Sequence, residues 1–390
     1  MTTGPPDRTR PLIYASVAVV LAFAWQALAV RYIYGGRWTG LFCTSALVAP
    51  PPGLAAENIY LFSGTDGYDG QFYHYAAHDP LLLHGMAQYM DSPRVRYWRI
   101  LVPGLAALLA AGHSRYVDAA YIGVNLLFLF GGIYWLGRFI GIHGFHPAWA
   151  VLYLLSPATV VSLDRLTVDL ALASLTIGFA LYVTEDRPHE LYMILALAPL
   201  ARETGFFLTA AYCMAELREH RFQRAFLFAT SAVPALAWYA FLAGRTSGAN
   251  VMSWLTALPL ASLMNRMLHP VHYAHAAPAV AFAANLLDEL ALAGALFSIV
   301  LSFWLLRKEW AWPLQFAVIL IALGSLNFGP PFWIEAYAFG RILTPLLVML
   351  ALFGVRSRSW ITLLPLVMIV PRVIFEMGGQ FIKVARGLFT

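Results

Sequence analysis

Three carboxylates (Asp66, Asp69, Asp79), two histidines (His74, His78) and three ring residues (Tyr68, Phe72, Tyr73) fall together in the stretch GTDGYDGQFYHYAAHDP, Gly64 to Pro80. A second group follows in Asp91-Ser-Pro-Arg-Val-Arg-Tyr-Trp-Arg99. Three more stand beside prolines: Asp164, Arg165 and Asp169 after Ser156-Pro157, Arg202 and Glu203 after Pro199, and Glu335 and Arg341 after Pro330-Pro331. A carboxylate in such company can take the proton of an attacking hydroxyl. Arginine, always charged and shaped as a planar fork, suits the binding of phosphate oxygens and the stabilisation of a leaving anion. Asp69, with Asp66 beside it, is the candidate proton acceptor. The candidate substrate-binding groups are Gln71, Tyr73, His74, Asp79, Arg96, Arg99, Asp169, Arg202, Glu203 and Arg341, with ring surface from Tyr68, Tyr97 and Trp98. Asp79 precedes Pro80, where it can also cap or turn the chain.

Metal binding is a weaker reading of the same residues. His74 and His78 are spaced i,i+4, which puts two imidazoles on one helix face. His269, His272 and His275 recur every third residue, but HPVHYAH contains proline and has no carboxylate or thiolate close by, so an interfacial loop suits it better. No glycine-rich phosphate loop, CxxC, GxSxG or HExxH occurs.

The elements that must hold these groups are apolar. The chain of 390 residues is 60% hydrophobic and 12% charged, far too little charge to cover a soluble core of that size. It reads as an all-α, polytopic membrane protein forming one integral-membrane domain over residues 1–390. The net charge of +5 comes almost wholly from arginine, since Lys308 and Lys383 are the only lysines. In a membrane protein such a balance reflects cytoplasmic loops, so it carries no nucleic-acid inference. Cys43 and Cys213 are too few and too dissimilar for a disulfide scaffold or a thiolate site.

The first uncharged run, Pro11 to Val30, reads as an uncleaved span rather than a signal peptide, although Ala27-Leu28-Ala29 could pass for a cleavage site. Arg8 and Arg10 before it hold the N-terminus in the cytoplasm, so residues 31–117 emerge outside as a long first loop carrying the acidic stretch. The run Ile100 to Gly112 is too short to cross and reads as a juxtamembrane helix in the outer interface. Further spans are expected at 118–138, 146–163, 167–183, 190–201, 204–217, 224–243, 286–306, 311–327, 340–355 and 359–375, giving about eleven. A second outer loop covers 245–285. The inner turns then hold Arg138, Arg187, Arg218, Arg221, Arg224, Arg307, Lys308, Arg356 and Arg358, leaving Arg165, Arg202 and Arg341 among the short outer turns, where a cation needs a reason. Between 190 and 217 a break at Pro199–Glu203 makes two half-length helices with Arg202 and Glu203 at their tips, paired with each other or lining a cavity. Gly64, Gly67 and Gly70 predict a tight turn running into a helix near Gln71.

In this order of features the chain resembles the GT-C superfamily of integral-membrane glycosyltransferases. The stretch YDGQFY, with His78-Asp79-Pro80, Arg96-Tyr-Trp-Arg99 and Ala201-Arg-Glu-Thr204, is similar to bacterial membrane proteins described as glycosyltransferase-like. The resemblance covers residues 10–205 best. It implies a transferase of the bacterial cytoplasmic (inner) membrane that faces the periplasm or exterior. Its donor would be a polyprenyl-phosphate-linked sugar, its acceptor a lipid or glycan, and the transfer inverting. Asp66 and Asp69 would match the family's first acidic motif, and Asp164 or Asp169 its second acidic position. The pair is spaced D-x-x-D, where adjacent or D-x-D acids are common in the superfamily, so no cofactor is implied with certainty and a divalent metal stays open. A transporter or flippase using Asp69, Asp169 and Arg202 is the rival reading, though no inverted repeat relates the halves of the chain. A non-catalytic assembly partner of another membrane enzyme is the third.

Overall fold

The structure is a computed structural model that describes residues 9–247, 254–273 and 276–389; Arg8 and His275 lie outside the described residues. The architecture is almost wholly helical. Five helices are long and apolar enough to cross a membrane: Thr9–Tyr32, Ser114–Ile142, Phe222–Ala243, Pro278–Leu305 and Ala336–Ser357. Two bent pairs raise the number to seven if each is one span: Pro147–Leu155 with Pro157–Arg165, bent by 56°, and Trp360–Glu376 with Gly378–Phe389, bent by 51°. Helices dominate because lipid offers no partner to an open backbone N–H or C=O, whereas a helix satisfies both within the segment. Thr9–Tyr32 turns Ile13, Val17, Val20, Leu21 and Phe23 outward, a surface suited to acyl chains.

The centre is built from Ala336–Ser357 and the shorter apolar helix Asp169–Thr184, which pack on each other and are buried along nearly their whole length. Two apolar helices enclosed by others can carry charge at their ends only if that charge is paired, and both do. Asp169 opens one, and Arg341 lies in the second turn of the other.

The predicted break is present. Pro188–Ala201 ends where Arg202 becomes extended, at φ −162° and ψ 146°; Glu203–Gly205 makes one tight turn, and Phe206–Arg218 continues. Each helix is about 20 Å long at 1.5 Å per residue. Gly205 permits the close approach, since a Cβ there would strike the carbonyl group of Ala198.

The segment between Tyr32 and Ser114 folds over one end of these helices. A two-residue parallel pairing joins Thr44-Ser45 to Leu61-Phe62. Gly64 and Gly67 turn the chain at φ +70° and +76°, and the helix then starts at Asp69, slightly before the expected Gln71. Gly70 allows that helix to lie against the backbone carbonyl of Arg165, where a Cβ would collide. The run 100–112 is a short helix, Leu101–Leu109, closed by Ala111 and Gly112 at positive φ. At about 14 Å it is too short to cross a bilayer. Two expectations shift. The helix expected at 286–306 begins at Pro278, because proline is well tolerated in a first turn. The chain after 375 also adds an amphipathic helix, Gly378–Phe389, that packs against Thr9–Tyr32.

Candidate functional site

Four guanidiniums and four carboxylates form one continuous network at the mouth of the helical core. Arg96 grips Asp91 through Nε at 2.9 Å and Nη2 at 2.7 Å, and its Nη2 also reaches Asp69 Oδ1 at 2.9 Å. The other oxygen of Asp69 accepts from Arg341 Nη2 at 2.5 Å, and Arg341 Nη1 donates to Asp169 Oδ2 at 3.1 Å. Asp169 Oδ1 accepts from Arg202. Arg99 holds Glu203 by a two-pronged contact of 2.9 and 2.7 Å and donates to the Tyr73 hydroxyl at 3.0 Å. The expected pairing of Arg202 with Glu203 persists as a long contact, 3.7 Å from Arg202 Nε to Glu203, while the short contacts are exchanged: Arg202 binds Asp169 and Glu203 binds Arg99. The break at 199–205 causes this exchange, because the extended Arg202 points its side chain one way and the following turn points Glu203 another.

The network borders a cleft of ≈ 440 Å³. Arg96, Arg99, Arg202 and Arg341 line it together with Asp66, Asp69 and Gln71, and Tyr68, Phe72, Trp254 and Phe332 supply ring surface. Trp254 meets Phe332 edge-on at 6.3 Å, and its carbonyl accepts from Gly329 N at 2.8 Å, so two distant loops form one wall. The Arg341 guanidinium lies over the Tyr68 ring at 5.0 Å. Nε of Arg202 and Nε of Arg341 are buried without an acceptor, as is the Tyr68 hydroxyl. A buried donor without a partner is costly, which makes these atoms ready contacts for an anion's oxygens.

The acids differ in character. Burial alone would push the Asp69 carboxyl up; Arg341 and Arg96 reverse that and hold it well below the usual carboxylate range. Burial likewise opposes ionisation of Glu203, and Arg99 and Arg202 overcome it, bringing the group down to about 2. Glu335 moves the other way. Although part of its surface is open, the protein around it pushes the carboxyl up, and Glu376 adds to this. Glu335 lines the cleft and makes no ion pair or side-chain hydrogen bond among the described residues.

Of the residues singled out from the sequence, Asp66, Asp69, Gln71, Tyr73, Arg96, Arg99, Asp169, Arg202, Glu203 and Arg341 gather in or directly behind this cleft. Gln71 serves partly as a brace, accepting from Ser45 N at 3.1 Å and donating to the Asp66 carbonyl at 3.0 Å. Asp79 lies elsewhere and organises a turn, accepting from the backbone N–H groups of Leu83, His84 and Met86 at 2.7, 3.0 and 3.2 Å. His74 faces away from the cleft toward Glu57 and Asp118. Tyr97 and Trp98 also face away: the Tyr97 hydroxyl donates to the Asp79 carbonyl at 2.9 Å, and Trp98 stacks on Tyr239 at 5.2 Å. His269 Nδ1 lies 2.9 Å from the Asn265 carbonyl at the end of a short helix, where it belongs to the local backbone. The D-x-x-D pair does not fit a divalent cation as it stands, because both oxygens of Asp69 are engaged by guanidiniums.

Sequence reasoning assigned no part to Asp91 and none to Glu335 beyond its place after two prolines. Asp91 opens a loop, where acids are ordinary. Glu335 precedes the helix that carries Arg341, and only folding shows that both face one cleft.

A comparison with known protein families, curated proteins and solved structures finds no match to this chain. The fold and the site define a class on their own terms: an all-helical membrane protein with an aromatic-lined cleft of paired guanidiniums and carboxylates at one end of its core.

Proposed function

We propose that this chain is a GT-C-like membrane glycosyltransferase that moves a sugar from a polyprenyl-phosphate donor to a hydroxyl of a lipid or glycan acceptor, at the outer face of a bacterial inner membrane. The observation that carries this reading is the cleft itself, where Arg96, Arg99, Arg202 and Arg341 stand beside Asp69 and the rings of Tyr68, Phe72, Trp254 and Phe332. A phosphate on the guanidiniums and a sugar against the rings would satisfy both kinds of group. On this reading the eleven apolar runs are all spans or half-spans.

Inverting transfer forms a bond between the acceptor oxygen and the anomeric carbon as the bond to phosphate breaks. The phosphate leaves with the electron pair, and the hydroxyl proton goes to a carboxylate. Arg202 and Arg341 are placed to take the leaving phosphate, and Tyr68, Phe72, Trp254 and Phe332 to pack on sugar faces. Asp69 is the acceptor of the proton. Its basicity is held down by Arg341 and Arg96 while those guanidiniums have no other anion, and it rises when the donor phosphate draws them away. Binding of donor would thus prepare the base.

The test is donor consumption by purified protein in detergent, where no gradient across a membrane exists. Release of polyprenyl phosphate with formation of a glycosylated acceptor supports the transferase. Donor binding without turnover under acceptor excess sinks it and favours a carrier of lipid-linked sugar.

A further inference from the structure

The opposite face of helix Asp69–His78 carries a second constellation that the cleft chemistry does not use. His74 Nε2 lies 2.8 Å from Asp118 Oδ1 and 3.4 Å from Glu57 Oε2. His78 Nε2 lies 3.3 Å from Glu57 Oε1 and 3.7 Å from Asp118 Oδ1. One donor atom from each of the four residues falls within 4.8 Å of the others. The two imidazoles share a helix face by their i,i+4 spacing. Glu57 arrives from the preceding loop and Asp118 from the first turns of Ser114–Ile142.

The separations suit a tetrahedral ion. Bonds of about 2.0–2.1 Å place neighbouring ligand atoms about 3.3–3.4 Å apart; the two histidines reach Glu57 at 3.4 and 3.3 Å through different oxygens and share Asp118 Oδ1 at 2.8 and 3.7 Å, so a small adjustment closes the set on one ion. The hydrogen bonds around His78 also fix its tautomer. Ser114 Oγ donates to Glu57 Oε1 at 3.0 Å, so at 3.2 Å it can only accept from His78 Nδ1–H. In the neutral ring the lone pair then sits on Nε2, which faces two carboxylates, has no hydrogen-bond partner and belongs to a side chain only 3% exposed. An Nε2 turned toward two carboxylates calls for positive charge between them, from a metal ion or from a proton on the ring. Outer hydrogen bonds of this kind orient metal-bound histidines.

We propose that Glu57, His74, His78 and Asp118 bind a divalent cation of the zinc class. Two neutral imidazoles and two carboxylates cancel its charge, and four nitrogen and oxygen donors suit zinc, whereas magnesium and calcium demand six or more oxygens. An open groove lined by Gly36, Arg37, Asn58, Ser114 and Asp118 gives access from solvent. The ion would pin helix Asp69–His78 to the loop before it and to Ser114–Ile142 behind it. It is thus a positioning site for the helix that presents Asp69 and Tyr73, and it stands whether or not the cleft transfers sugar. The rival occupant is a proton shared among the same groups.

Metal content of the full chain, purified in detergent and dialysed against micromolar Zn²⁺, tests the proposal. About one zinc per chain is expected in the unmodified protein and in His272→Ala, with almost none in the double variant His78→Ala and Asp118→Asn. Ser114→Ala should weaken affinity by about 10–100-fold through the loss of its outer hydrogen bonds. Should the double variant fold poorly, Co²⁺ added to the unmodified chain decides, because a tetrahedral site gives intense visible absorption that Zn²⁺ then abolishes. Absence of both bound zinc and the cobalt bands in the unmodified protein overturns the metal and leaves a protonated histidine cluster.

Discussion

Arg341 stands between Asp69 and Asp169, giving Nη2 to the first at 2.5 Å and Nη1 to the second at 3.1 Å. One acid belongs to the segment between Tyr32 and Ser114 and the other opens a buried helix, so a single guanidinium ties the acidic stretch to the core. Arg341→Lys keeps the charge but offers no planar fork, so donor binding should weaken while the fold persists. Arg341→Gln leaves both acids short of a counter-charge and should cost about 3–5 kcal/mol of stability. It should also lower the transfer rate by about 10²–10³-fold. Thermal unfolding and donor consumption measured on both variants check this; a Gln variant as stable and active as Lys would mean that Arg341 neither pairs nor binds.

The two acids that differ most in proton affinity, Asp69 and Glu335, can be told apart by pH. Asp69→Asn should lower the rate by about 10²–10⁴ while the protein stays folded. Glu335→Gln should change it little. If Glu335 is the true acceptor, its raised carboxyl gives kcat/KM an acid limb above the usual glutamate range, and the limb vanishes in Glu335→Gln. Equal, mild losses at Asp66, Asp69 and Glu335 would leave the cleft with no base.

Glu203 predicts a response to acid. Its carboxyl is held at about 2 against an ordinary value of 4.5, so the folded state binds fewer protons than the unfolded one. The stability it contributes is whole above about pH 4.5 and is lost as pH falls toward 2. Unfolding followed between pH 6 and 3 should show a decline that Glu203→Gln flattens, from a lower starting stability because Arg99 loses its partner. An identical slope in both proteins would assign the acid sensitivity elsewhere.

Much of the site was legible because an oily chain has few reasons to keep polar residues. Asp69, Arg96, Arg99, Asp169, Arg202, Glu203 and Arg341 were each conspicuous by type and setting, and they converge. The break at Pro199–Glu203 was legible too, from a proline followed by charge in an apolar run. What stayed hidden was partnership. Adjacent residues such as Arg202 and Glu203 invite a local pairing, but an extended backbone at Arg202 sends the two side chains to different partners. Span number was also poorly legible, since 13- to 16-residue helices such as Asp169–Thr184 and Phe206–Arg218 have the composition of spans without their length. The histidine pair was visible by spacing, while Glu57 and Asp118, far along the chain in either direction, were not.

The proposed sidedness makes the last prediction. The cleft can receive a donor made available at the outer face only if the segment between Tyr32 and Ser114 faces outward, which requires Leu101–Leu109 to stay on one side of the bilayer. The nine residues of that helix reach less than half of the roughly 30 Å hydrocarbon thickness. Arginines at 356 and 358 should then face the cytoplasm, in keeping with the positive-inside rule. Single cysteines placed at Ser63 and Ser357, with Cys43 and Cys213 replaced, should label from opposite sides of intact cells with an impermeant thiol reagent. Ser63 is exposed and lies in a turn, so its substitution should leave the fold intact. Ser63→Cys should react without permeabilisation and Ser357→Cys only after it. Labelling of both from outside would mean an odd number of crossings has been miscounted between them, and Leu101–Leu109 would be the first segment to re-examine.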